Sequence, residues 1–255
     1  MTDRRDIEPR ASGYRKLSYT SRCGWVDWGH AIPDGPAKLK KQLDFERSDW
    51  PLLNKTSITL NGAPAFIVVY GQAMKAAGVA ASVERHWVVN KGLSATQKKS
   101  VALAIFLSAS HDFERMQAGF PFSLVTNSGY SPEDLVSNLI GFYGAYLGLP
   151  QKDFRKLCGE VSVKESFRIW DTYLPNGFDG LKNKTPQPIY FPCQECANDS
   201  QTGTFPAFFS SIAPSAHGYN WVKPARRFID GRLINMGIPL TTSNTGVIKP
   251  ATQRW

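Results

Sequence analysis

The chain has 255 residues, 42% of them hydrophobic and 20% charged, an ordinary globular composition that excludes wholesale disorder and supplies enough apolar material for a real core. Lys and Arg outnumber Asp and Glu 30 to 21, a formal net charge of +9 that speeds encounter with a polyanion, whether nucleic acid, anionic lipid or an acidic bacterial wall. The basic residues form short scattered clusters (Arg4-Arg5, Lys38-Lys40-Lys41, Lys98-Lys99, Arg226-Arg227) and not one stripe interleaved with aromatics, which speaks against specific nucleic-acid binding.

Residues 1–18 are polar and charged and read as a flexible tail, without the apolar run of an export signal. The chain is therefore expected to be made in the cytoplasm without a conventional signal peptide. No run of apolar residues is long enough for a transmembrane segment; Val101 to Leu107 is the longest candidate and stops at Ser108. Order should begin near Tyr19, and 19–255 reads as a single catalytic domain.

Cys23 to Ala31 carries Trp25, Trp28 and His30, and a Pro/Gly break follows at Pro33 to Pro36. A short helix is expected over Ala37 to Phe45, apolar at Leu39 and Leu43. Thr56 to Leu60 alternates like a strand into the Asn61-Gly62 turn and the apolar segment Ala65 to Tyr70, with a third strand over Val83 to Asn90. Ser94 and Gln97 have capping-box spacing and open a long helix that should run to about Ala118, before Gly119 and Pro121. Ser131-Pro132-Glu133-Asp134 opens another: Ser131 suits the cap, Pro132 the first turn, and the two acids the positive end of the dipole. That helix should end at Leu147-Gly148, and helical pieces follow over Lys152 to Leu157 and Val163 to Leu174. Beyond Pro175 the chain is rich in Pro, Gly and aromatics, with a short helix near Ala225 to Asp230. The expected class is α+β, predominantly helical, with central long helices, a small sheet or hairpin and a loop-rich C-terminal wrap.

Candidate chemistry centres on the first long helix. Leu103, Phe106, Leu107, Ser110, Phe113, Glu114 and Gln117 share one face, so Glu114 projects from the side that should be buried. Burial raises a carboxyl pKa, which tunes a general acid for neutral pH, and His111 one turn earlier can reach it. Asp27 and His30 have the same i, i+3 spacing. Together the two pairs would make a ligand set for a divalent metal such as zinc, the alternative to a cofactor-free site. Glu133 and Asp134 are explained by the helix dipole alone, whereas Asn138 among Leu135, Leu139 and Phe142 needs a hydrogen-bond partner if buried.

Four cysteines occur, and Cys193-Gln-Glu-Cys196 is a lone CxxC without the second pair of a zinc ribbon. Cys23 has a nucleophile reading, with His86 or His217 as base. Cys23-Gly24-Trp25 followed by Trp28-Gly29-His30-Ala31 faintly resembles the cysteine end of CHAP-type amidases, which cleave peptidoglycan peptides.

A second resemblance covers about a third of the chain. Ser128-Gly129-Tyr130-Ser131-Pro132-Glu133-Asp134-Leu135-Val136-Ser137-Asn138-Leu139-Ile140-Gly141, the pair His111-Asp112, and Asp27-Trp28-Gly29-His30 together resemble a family of uncharacterised bacterial proteins. These carry an Asp-x-Gly-His element, a His-acid pair on one helix and a Ser-Pro-Glu-Asp-Leu-x-Ser-Asn-x-x-Gly start to the next. Asp112 stands where the family would be expected to have Glu. The resemblance implies positions, not a reaction: Asp27, His30, His111, Glu114, Glu133 and Asn138.

These readings converge on a bacterial cell-wall (peptidoglycan) hydrolase, a lysozyme-like glycosidase and antibacterial effector, or toxin, delivered to the periplasm of a target cell. Its partners would be a secretion-machine carrier and an immunity protein. Glu114 would protonate the glycosidic oxygen, Asp27 or Glu133 would stabilise charge or position water, and Trp25, Trp28 and Tyr130 would stack on sugars. The alternatives are a metal- or cysteine-dependent hydrolase (amidase, lipase or phosphodiesterase) and a non-enzymatic basic binding module.

Overall fold

The computed structural model describes residues 2–55, 57–76, 79–118, 130–215, 221–224, 227–229, 232–234, 240–242 and 247–250. The chain divides into two compact units, the first formed by Met1–Asp34 and Glu114–Ser211 and the second by Gly35–Phe113 and Ile212–Trp255. Among the described residues, no helix is long and apolar enough to cross a membrane.

In the first unit, β1 (Leu17–Thr20) and β2 (Gly24–Asp27) form an antiparallel hairpin that pairs Leu17 with Asp27 and Thr20 with Gly24. In the second, α1 (Asp34–Phe45) buries Leu39 and Leu43. It leads to β3 (Ile58–Leu60), β4 (Ala63–Ala76) and β5 (Val79–Asn90), paired in order around the Asn61-Gly62 turn. Phe66 to Tyr70 is buried at every position, so this is a strand covered on both faces. One face packs Ile67 and Val69 with Leu53, Ile58, Leu60 and Val88. On the other, the Tyr70 ring meets Phe106 of α2 (Ala95–Ala118), and Gln72 donates to Ser110 at 2.9 Å. Ser94 and Gln97 make the reciprocal cap expected at the start of α2. The division between the units falls inside this helix, after Phe113.

The first unit resumes with α3 (Asp134–Leu147), α4 (Gln151–Cys158) and α5 (Val163–Tyr173). Its core joins Ile7, Leu17, Tyr19 and Trp25 to Ile169, Trp170, Leu174 and Phe178. Two disulfides, Cys23–Cys158 and Cys193–Cys196, lie in this unit. Short strands β6 (Val222–Pro224), β7 (Arg227–Ile229), β8 (Arg232–Ile234), β9 (Leu240–Thr242) and β10 (Val247–Pro250) belong to the second. Both β6 and β10 pair with β5, extending the sheet to six strands, while β7 and β8 pair with each other.

The expectation of a predominantly helical fold is overturned. The protein is α+β, with five α-helices and an extensive sheet among the described residues, built on strands of 14 and 12 residues. Alanine, glycine and lysine in β4 and β5 obscure the strand period, but the long pairing from Ala65–Asn90 to Ala76–Val79 outweighs the weak propensity of those residues. The C-terminal segment supplies strands where a loop-rich wrap was expected, and Arg227–Ile229 is extended, not helical. The leading segment is also no bare tail. Ile7 and Leu17 are fully buried, and the Arg4 guanidinium makes paired hydrogen bonds of 2.6 and 2.8 Å to Asp171.

Candidate active site

The first unit gathers ionisable side chains from four segments. Asp27 ends β2, and the chain turns so that the His30 and Ala31 N–H groups both donate to the Asp27 carbonyl. Asp27 and His30 thus meet across a turn and not along a helix. The turn is pressed against α3, where a Cβ on Gly141 would lie 2.7 Å from the Ile32 carbonyl oxygen; only glycine allows this approach. Ser137 of α3 donates its hydroxyl to the Glu133 carbonyl at 2.6 Å and accepts the Asp27 N–H at 2.9 Å.

Asp134, the first residue of α3, places Oδ1 3.1 Å from His30 Nδ1. Asp27 Oδ2 lies 3.5 Å from the same nitrogen and 3.7 Å from Lys16 Nζ; fully buried, it makes no hydrogen bond among the described residues. The His30 side chain is 51% exposed, the most open member of the cluster. Loss of hydration works against its charge, but the Asp134 hydrogen bond and the negative charges of Asp134, Asp27 and Glu133 carry its pKa up to about 9.

Glu114 is 2% exposed and accepts the Tyr130 N–H at 2.6 Å. Tyr130 holds a left-handed backbone (φ 60°) at this contact. Burial and the Asp134 charge push Glu114 up to about 8, against the opposing effects of the Tyr130 N–H and His30. Burial and Asp134 likewise raise Glu133 to about 8, against hydrogen bonds from the Ser131 and Thr2 hydroxyls. Two carboxyl groups that hold protons at neutral pH therefore share a cluster with a protonated imidazole. Such an arrangement can move a proton to or from a bound molecule at His30.

Of the expected site residues, Asp27, His30, Glu114 and Glu133 come together, with Tyr130 contributing its backbone. His111 belongs to the second unit, so the four-residue metal set is not a set of one unit. Among the described residues, no three His, Cys, Asp or Glu side chains are placed to hold one metal ion. Trp25 and Trp28 are core residues and not sugar platforms. Trp25 packs edge-on against Tyr19, Trp170 and Phe178, while buried Trp28 donates to Ser18 Oγ at 2.7 Å beneath the Arg155 guanidinium. Asn138 is partly exposed and makes no side-chain hydrogen bond with a described residue. Ser131 donates to Glu133 at 2.5 Å where a helix cap was expected.

Cys23 is fully buried in its disulfide and is no thiolate nucleophile. His86 lies in the second unit, and His217 lies outside the described residues. The CxxC pair forms a small-loop disulfide. Asp134 is the member of this cluster that the sequence did not single out, because a first-turn acid is fully explained by helix-dipole energetics; the Asp-x-Gly-His element upstream was the signal for a partner.

Comparisons with protein-family models, with curated proteins and with solved structures give no match.

Proposed function

We propose that the first unit is a hydrolase acting on peptidoglycan by acid–base catalysis, with His30 facing the substrate, Asp134 orienting and charging its ring, and Glu114 as the neutral acid. The observation that carries this reading is a carboxylic acid kept protonated near neutral pH beside Asp134 and a half-exposed imidazole. Environment separates the protonation of neighbouring groups in this way where one must donate and the other must stabilise charge. In the lysozyme-like form, Glu114 protonates the glycosidic oxygen, and the Asp134 and Asp27 carboxylates stabilise the oxocarbenium charge.

One observation favours a second reading. Glu114 is buried while His30 is open, so His30, kept protonated by Asp134 behind it, serves equally as the acid that donates a proton to the leaving group of an amide or ester bond. Mass spectrometry of fragments released from purified peptidoglycan separates the two: new reducing sugar ends mark the glycosidase, and freed peptide termini mark the amidase. No release of either kind removes the wall as substrate. The two disulfides fit work in an oxidising compartment, consistent with an effector delivered to the periplasm.

A further inference from the structure

The positive charge of the chain is not shared between its units. Of 30 basic and 21 acidic residues, the second unit holds 16 and 6, leaving 14 and 15 in the first. The unit that carries the candidate site is thus close to neutral, and the excess resides in the sheet unit.

Within the second unit several cations lie on the segments that adjoin an exposed aromatic ring. Phe45, the last residue of α1, is 67% exposed, the most open large apolar side chain among the described residues. Lys38, Lys41 and Phe45 follow i, i+3, i+7 spacing, so they form one exposed stripe opposite buried Leu39 and Leu43. Lys98 fixes this end of the helix: its Nζ donates to the Asp44 carbonyl at 3.5 Å and pairs with Glu46 Oε1 at 3.0 Å. The Gly92 N–H donates to the same Glu46 oxygen at 2.9 Å. These bonds bring the segments carrying Lys91 and Lys99 to the residues flanking Phe45, where Arg47 also lies. Asp44 and Glu46 are engaged by Lys40 and Lys98, whereas Lys38, Lys41, Arg47, Lys91 and Lys99 are exposed and make no ion pair among the described residues. Asp34, one turn before Lys38, and Asp49 are the exposed acids nearby outside such a pair among the described residues.

An exposed phenylalanine adjoined by segments that carry unpaired cations combines two signals that are each weak alone: partial insertion of an apolar ring at the acyl boundary, and attraction to anionic headgroups. A soluble polyanion would use the cations and leave the open ring unexplained. We propose that this edge of the second unit is a peripheral docking surface for an anionic phospholipid bilayer, with Phe45 inserted and Lys38, Lys41, Arg47, Lys91 and Lys99 around it. The surface is independent of the hydrolase reading.

The test is co-sedimentation of the full chain with vesicles of phosphatidylcholine alone and with phosphatidylglycerol added, alongside digestion of purified peptidoglycan without vesicles. Binding should require phosphatidylglycerol. Phe45→Ser should weaken it about tenfold and Phe45→Leu should largely preserve it. The triple variant Arg47→Glu, Lys91→Glu, Lys99→Glu should weaken it roughly a hundredfold. All these positions are exposed, so thermal unfolding and digestion of free peptidoglycan, where present in the parent, should be unchanged. Equal binding to vesicles with and without phosphatidylglycerol, full binding by Phe45→Ser, or Phe45-independent capture by heparin or single-stranded DNA in place of vesicles would each overturn the proposal.

Discussion

His30 Nδ1 stands 3.1 Å from Asp134 Oδ1 and 3.5 Å from Asp27 Oδ2, so one ring nitrogen faces carboxylates from two separate segments while the side chain remains half open. The Asp134 charge also acts on Glu114 and Glu133, which makes the first residue of α3 the electrostatic hub of the site. Asp134→Asn should therefore lower three pKa values together: His30 from about 9 toward its ordinary 6.5, and Glu114 and Glu133, which burial still holds up, below about 8. Titration of the His30 ring by NMR, with the wild-type chain as reference, measures the first shift directly. An unchanged His30 titration in Asp134→Asn contradicts the assignment.

The same groups set the pH dependence of stability. Glu114 and Glu133 keep protons up to about pH 8 that the unfolded chain gives up near 4.5, so the folded state binds more protons and loses stability as pH rises between those values. His30, protonated up to about 9 when folded and to 6.5 when unfolded, loses its contribution over that higher window. Both effects run the same way. Asp199 and Asp171, held below the usual carboxylate range by Arg22 and Arg4, weaken the fold only under more acidic conditions. Urea unfolding should show greater stability at pH 5 than at pH 9, and Glu133→Gln should flatten the slope between 4.5 and 8. A wild-type chain more stable at pH 9 than at pH 5 contradicts this balance.

Gly141 makes the seat for the His30 turn. Gly141→Ala would place a methyl group against the Ile32 carbonyl, which cannot recede without moving the turn. A destabilisation of ~1–3 kcal/mol is expected from this overpacking, together with a weakened His30–Asp134 contact. Calorimetry reads the first effect and the His30 titration the second; a variant with wild-type values for both would show that the turn has room to move.

The disulfides should contribute unequally. Cys23–Cys158 closes a loop of sequence separation 135, and its loss should cost about 4–5 kcal/mol through loop-closure entropy. Cys193–Cys196 spans a separation of 3 and should contribute much less. Unfolding of Cys23→Ala/Cys158→Ala and of Cys193→Ala/Cys196→Ala, each compared with the parent, checks the order. Any hydrolytic activity should survive the first pair below its melting temperature, because Cys23 carries no chemistry.

Where local patterns were strong, the sequence was informative. Ser94 and Gln97 announce the start of α2, Gly148 the end of α3, and the position of Glu114 on an apolar face its burial. The β4–β5 pair was read too short, since strand residues such as Gly71 to Ala76 have little strand preference and are held by pairing. Trp25 and Trp28 show why aromatic residues near acids do not identify a sugar site: composition does not distinguish a stacking platform from a core. Asp134 was legible as a helix-start acid only, because its partner His30 lies 104 residues away in sequence. The meeting of Asp27, His30, Glu114 and Glu133 depends on the packing of β2 against α3, which no local pattern encodes.

The most direct test of the central claim is the rate of peptidoglycan digestion by His30→Ala, Asp134→Asn and Glu114→Gln, each confirmed to be folded by its melting transition. His30→Ala and Asp134→Asn should each lower kcat at least about a hundredfold, and Glu114→Gln should do the same if the products are sugar fragments. Digestion at the wild-type rate by His30→Ala would contradict that claim.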